Sequence, residues 1–133
     1  MNRCLLSAIP TPVTSNALME EIGVDRKKLP QCGEERFLLL LDGPWATLIV
    51  RELLHSPRRF TELREALPGI SAHTLTHRLR RFETHGLVIR TAYAETPPRV
   101  VYELTPLGAS LHDILYAMKA WGEAIPDDRL AGG

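Results

Sequence analysis

Residues 69–88 read GISAHTLTHRLRRFETHGLV. Leu75, Leu79 and Phe82 stand at i, i+4 and i+7, the spacing of an apolar stripe along one side of a helix. Ser71 is placed to cap the N-terminus of that helix and Gly86 to stop it. With the core direction set at Leu75 and about 100° added per residue, His73, His77, Arg80 and Thr84 fall on the opposite side, flanked by Thr74, Thr76 and Arg81. No acid precedes Glu83 in the stretch. A helix that shows imidazole, hydroxyl and guanidinium groups suits a groove lined by phosphates, where a carboxylate would be repelled.

The segment before it, SPRRFTELREALPG over 56–69, predicts a helix with Thr61 as N-cap, Leu63 and Leu67 inward, and an end at Pro68 and Gly69. Two helices joined by Pro-Gly-Ile-Ser form a helix-turn-helix pattern, the second helix being the one that enters a groove. After Gly86 the period changes from about 3.6 to about 2. LVIRTAY (87–93) and RVVYELT (99–105), separated by AETPP, predict a β-hairpin with a proline-bearing tip. That hairpin is a wing, and Arg90 and Arg99 flank its tip.

Further out, EERFLLLLDG (34–43) predicts a short helix stopped by Gly43, and PWATLIVRELL (44–54) a second one opened by Pro44, with Trp45, Leu48, Ile49 and Leu53 inward. At the other end, TPLGASLHDILYAMKAWGEAI (105–125) predicts one helix capped by Thr105. Its apolar residues Leu107, Leu111, Ile114, Met118, Trp121 and Ile125 advance in steps of 4, 3, 4, 3 and 4, an a/d seam that predicts packing along a helix of a second subunit, with packing on its own core as the alternative. The fold class expected is mainly α with a small β-hairpin wing, a winged helix-turn-helix with N- and C-terminal dimerisation helices. It spans 32–125, between a loosely attached, partly disordered arm over 1–31 and a flexible tail over 126–133.

Composition narrows the function. The 133 residues make one domain's worth of chain, and the formal net charge is zero, which argues against a protein that coats nucleic acid. The distribution is uneven: between Arg58 and Arg99 eight arginines face four carboxylates, a net +4, leaving −4 for the remainder. A basic face on an acidic support is the asymmetry of a small DNA reader. No run of about 18 apolar residues occurs, so a cytoplasmic protein without a membrane partner is expected. His73 and His77 have the i, i+4 spacing of a metal pair, but HTLTH lacks the glutamate of a zinc-protease motif and a third ligand. With no glycine-rich phosphate loop or nucleophile elbow either, no metal, no cofactor and no catalysis are expected. A winged-helix module used for protein contacts is the competing class.

The stretch from Gly43 to Gly108 resembles the HxlR family of bacterial winged helix-turn-helix transcriptional regulators, and the similarity extends over about residues 32–122. RRFTELREALPGIS (58–71), LTHRLRRFETHGLVIR (75–90) and PPRVVYELTPLG (97–108) carry it. Pro44 beside Trp45, and Val101 in the second wing strand, depart from the family's usual residues. The resemblance implies a dimeric repressor or activator that binds an inverted repeat in promoter DNA. With the stretch taken as a recognition helix, Arg80 and His77 at the middle of its exposed face contact bases with His73 and Thr76 beside them, Thr74 lies at the edge, Ser71 and Arg81 hold phosphates, and Arg90 and Arg99 reach an adjacent groove or backbone, unless one of them only pairs with Glu95.

The family often carries a cysteine just before its first helix that senses oxidants or electrophiles, and Cys32 occupies that place, followed by Gly33 rather than proline. Lys27, Lys28, Arg36 and the helix N-terminus would lower its thiol pKa, and Glu34 and Glu35 would raise it. Sensor and ordinary thiol both stand as readings. Cys4 lies outside the resemblance.

Overall fold

The computed structural model describes residues 29–132; the segment read as an arm lies, up to residue 28, outside them. In chain order it contains α1 (Gly33–Leu40), α2 (Pro44–His55), β1 (Arg58–Arg59), α3 (Phe60–Ala66), α4 (Ala72–Thr84), β2 (Val88–Tyr93), β3 (Arg99–Leu104), α5 (Pro106–Ala109), α6 (His112–Glu123) and α7 (Asp127–Leu130). The three strands form an antiparallel sheet in the order β1-β3-β2. The segment read as a tail thus holds the helical turn α7.

The helix-turn-helix is α3 and α4. Ser71 caps α4 by accepting from the Thr74 backbone N–H at 3.0 Å, and Leu75, Leu79 and Phe82 are buried. At the far end the Leu87 N–H donates to the Phe82 carbonyl (2.8 Å) and the Gly86 N–H to the Glu83 carbonyl (3.1 Å). This is the Schellman pair that closes a helix on a glycine. The stripe enters a core built from α2, α3, the sheet and the start of α6: Ile49, Val50, Leu53, Leu63, Leu67, Ile70, Leu87, Val88, Tyr102, Leu111 and Leu115 surround it. Full burial of a leucine or phenylalanine contributes about 1.5–3 kcal/mol, so three such side chains hold α4 firmly without help from its outer face.

Several local expectations shift. The N-cap of α3 is Arg59, not Thr61: the Arg59 N–H donates to the Glu62 carboxylate at 2.7 Å, so the glutamate closes the turn two residues earlier. Arg59 is held extended because β1 pairs with β3, Arg58 opposite Tyr102 and Arg59 opposite Val101, which makes the expected hairpin a three-stranded sheet. In α2 the buried residues are Ala46, Ile49, Val50 and Leu53, with Trp45 and Leu48 on the flank. Gly43 precedes this helix at φ +82, a backbone region open mainly to glycine.

The expected C-terminal helix is divided. Thr105 caps α5 as expected, accepting from the Gly108 N–H at 3.1 Å while donating to the Gly86 carbonyl at 2.5 Å. Gly108 is pressed against the wing, and the chain tightens through Ser110 and Leu111 before α6 begins. The seam is divided too. Leu111 and the unforeseen Leu115 pack into the subunit's own core, whereas Ile114, Met118 and Trp121 are exposed, Trp121 by 73%.

Candidate nucleic-acid interface

Helical geometry and burial sort α4 into three bands. His73, His77, Arg80 and Thr84 are exposed, the outward face expected from the period. Thr76 and Glu83 border it on one side. On the other side run Thr74, Arg78, Arg81 and His85, half-buried against the rest of the domain. The outward face holds no carboxylate, and its only internal tie is the Thr84 hydroxyl donating to the Arg80 carbonyl at 3.0 Å. Ser71 is exposed at the helix start, where its hydroxyl serves both the Thr74 N–H and the Thr74 hydroxyl.

Arg81, expected to hold a phosphate, is engaged from behind. Its Nη2 donates to the Leu39 carbonyl in the last turn of α1 at 3.0 Å, and its Nη1 lies 3.6 Å from the Asp42 carboxylate. A cation beside orphan carbonyls at a helix C-terminus is favourably placed. Arg78, which the sequence reading did not single out, donates to the same carboxylate at 2.6 Å. Burial works against ionisation of Asp42, but the bond from Arg78, a backbone hydrogen bond and the charges of Arg78 and Arg81 together hold its carboxyl below the usual range.

His85 closes the same band. Its Nδ1 is buried without a hydrogen-bond partner among the described residues, and burial, then the charge of Arg81, push its imidazole pKa down.

In the wing, Arg99 donates to both oxygens of Glu95 at 3.2 Å and lies 4.2 Å from the centre of the Tyr93 ring. Its guanidinium therefore ties the two strands together at the tip. Arg90 is exposed, and the register sets it opposite Tyr102, with Arg58 opposite the same tyrosine from the other side. Directly paired residues share a sheet face, so Arg58 and Arg90 stand in one row. The Arg58 Nε is buried with no hydrogen-bond partner among the described residues. Arg58 was visible in the sequence only as one charge of the basic block, because a two-residue strand has no period to reveal it.

Cys32 is buried at the N-cap of α1, with its carbonyl accepting from the Arg36 N–H at 3.1 Å. Among the described residues, His73 and His77 gather no third ligand, and no group of three His, Cys, Asp or Glu could hold a metal ion. Among those residues no helix is long and apolar enough to cross a membrane.

A helix-turn-helix whose second helix turns a basic, carboxylate-free face outward, followed by a β wing, defines a winged helix-turn-helix DNA-binding regulator of transcription. The chain belongs to the HxlR-like helix-turn-helix family, whose model matches residues 40–129. It is 46% identical over 91 residues to the HTH-type transcriptional regulator sll1512 of Synechocystis sp., covering 68% of this chain and 67% of the relative. Among solved structures it is similar to the redox regulator HypR in its oxidized form, with TM-score 0.68 and 36% identity over 71% of this chain and 98% of that one. It is also similar to diamide-treated YodB from Bacillus subtilis, with TM-score 0.60 and 34% identity over 71% and 93% of the two chains. Of these relatives, sll1512 and YodB are named as regulators of transcription and HypR as a redox regulator.

Proposed function

We propose that the chain binds an inverted repeat in promoter DNA as a homodimer, with α4 of each subunit in successive major grooves. The observation that carries this reading is the outward face of α4: His73, His77 and Arg80 project from a helix fixed by three buried side chains. Arg80 and His77 read bases, and His73 and Thr76 lie beside them. Ser71 and Arg90 meet phosphates, while Arg99 serves the wing itself through Glu95. Two such helices are brought together by the apolar side chains left exposed on α1 and α6, namely Leu38, Leu39, Ile114, Met118 and Trp121. The DNA-reading domain is 32–125.

The test is a competition titration of wild type and Arg80→Ala on a duplex selected by the wild-type protein from a randomised pool, and on random duplex, at several salt concentrations. Loss of a base-reading arginine should cost roughly 1–3 kcal/mol on the selected duplex and relax preference at one position. Wild-type affinity and unchanged preference in Arg80→Ala would refute its role. Binding of wild type with no salt dependence would favour the protein-contact module, since neutralised phosphates must release counterions.

A redox response through Cys32 is a second reading, supported by the similarity to the oxidized redox regulator HypR and to diamide-treated YodB. Cys32 sits at the start of α1, whose other end touches α4 through Arg81. A chemical change there has a short route to the reading helix. Cys32→Ser should bind DNA as wild type does and ignore an oxidant that alters wild-type affinity.

A further inference from the structure

Asp42 stands in the short link between α1 and α2 and meets the two arginines of α4 that do not face outward. The contacts are directional: Arg78 Nη1 to Oδ1 at 2.6 Å, Arg81 Nη1 to Oδ2 at 3.6 Å, and Arg81 Nη2 onward to the Leu39 carbonyl at 3.0 Å. Arg78 and Arg81 are three residues apart on one helix, so a single carboxylate between them engages both guanidiniums on the side of α4 that faces α1. The neighbouring backbone is fitted to this contact. A Cβ on Gly43 would lie 3.2 Å from Arg78 Nη2, so the guanidinium packs closely over this glycine and would have to give by a few tenths of an ångström to admit a side chain. The Arg78 side chain is only 20% exposed and that of Arg81 33%.

We propose that Asp42 is a positioning residue that limits sequence-independent affinity, holding Arg78 and Arg81 back from the DNA backbone while the buried stripe of α4 sets how Arg80 and His77 are presented. This rests on α4 being the reading helix. A guanidinium that reaches a phosphate strengthens binding to every sequence alike. An acid beside the reading helix therefore lowers affinity for selected and random duplex together and leaves their ratio unchanged. The rim of the groove carries fewer cations than the sequence of α4 suggests, because two of its three arginines are committed inward.

The experiment uses the full chain and measures binding to a random-sequence duplex across a salt series, with the urea midpoint recorded in parallel. Asp42→Asn should bind random duplex more tightly, with a log–log salt slope steeper by about 0.9 for each phosphate newly contacted. Between 50 and 200 mM salt one such contact adds a roughly threefold loss of affinity. The ratio of selected to random affinity should stay unchanged. Arg81→Ala alone should leave the slope unchanged, the double variant Asp42→Asn, Arg81→Ala should return it toward wild type, and Asp42→Glu should stay near wild type. A merely structural salt bridge would lower the urea midpoint and leave the slope alone. An unchanged slope in Asp42→Asn, with wild type binding in a salt-dependent way, would overturn this role and leave the reading helix intact. A steeper slope that persists in the double variant would overturn it too, since the effect would then be the loss of one negative charge. Wild-type binding without salt dependence would remove the reading helix itself and this role with it.

Discussion

Gly108 lies in a helical turn, and replacing a helical glycine by alanine ordinarily stabilises a protein by about 0.5–1 kcal/mol. Here the sign should reverse. A Cβ at Gly108 would lie 2.3 Å from the Leu87 carbonyl oxygen and 2.9 Å from Leu104 Cδ2. Even a close carbon–oxygen contact needs about 3.3 Å, so roughly 1 Å must be opened against backbone rather than against a flexible side-chain end. The displaced oxygen is the one that accepts from the Thr105 N–H at 3.0 Å, and the Thr105 hydroxyl binds the adjacent Gly86 carbonyl. Overpacking costs about 1–3 kcal/mol and an impaired buried hydrogen bond about 1–3 kcal/mol more. After the helical gain is subtracted, Gly108→Ala should lose about 1–5 kcal/mol, a fall in urea midpoint of about 0.5–2.5 M for an m-value near 2 kcal/mol/M. Gly122 supplies the control: nothing lies within 4 Å of a Cβ there, so Gly122→Ala should show the ordinary gain. Both are read by urea unfolding at one fixed protein concentration. A Gly108→Ala midpoint at or above wild type would refute the close approach of α5 to the wing.

Met118→Asp with Trp121→Asp should sediment as a monomer at micromolar concentration and keep its helical circular dichroism, since both side chains are exposed in the subunit; a dimer would disprove the proposed interface. For Cys32→Ser, footprinting with and without peroxide should give identical protection while wild type changes; a persisting response would move the search to another residue. The folded state holds the His85 pKa below its ordinary value, so as pH falls the unfolded chain takes up the proton first. The stability this site contributes is complete above the ordinary histidine pKa of about 6.5 and is lost as pH descends from there toward the lower folded value. The urea midpoint should therefore drop on acidification through that window, and by less in His85→Gln; equal drops would show that His85 is not the group involved.

The parts of the fold set by neighbours in sequence were legible in it. Ser71, Gly86 and the Leu75, Leu79, Phe82 stripe define α4 within one stretch, and the change of period announces the wing. Contacts between distant residues were not. Arg81 meets Leu39 across 42 positions and Arg78 meets Asp42 across 36, and nothing in the period of α4 distinguishes an arginine that faces DNA from one that faces α1. The seam divided for a related reason: a regular spacing of apolar residues gives a helix face but not the body it faces. Leu111 turned out to serve the subunit's own core, and Leu115, outside the seam, joins it there. The two-residue strand β1 is too short to carry any alternation, and its pairing with β3 moved the start of α3.

The division of α6 has an evolutionary consequence. Leu111 and Leu115 are anchored in the subunit, while Ile114, Met118 and Trp121 lie outside it and, in the proposed dimer, meet the partner. Substitutions at the first pair are screened by whether the chain folds; substitutions at the other three are screened by which chain it recognises. After gene duplication, two copies could diverge at those three positions until each pairs only with itself, with the inherited DNA-reading fold untouched. The helix thereby lets partner choice drift separately from operator choice, so that sister regulators in one cell need not poison one another by mixed assembly.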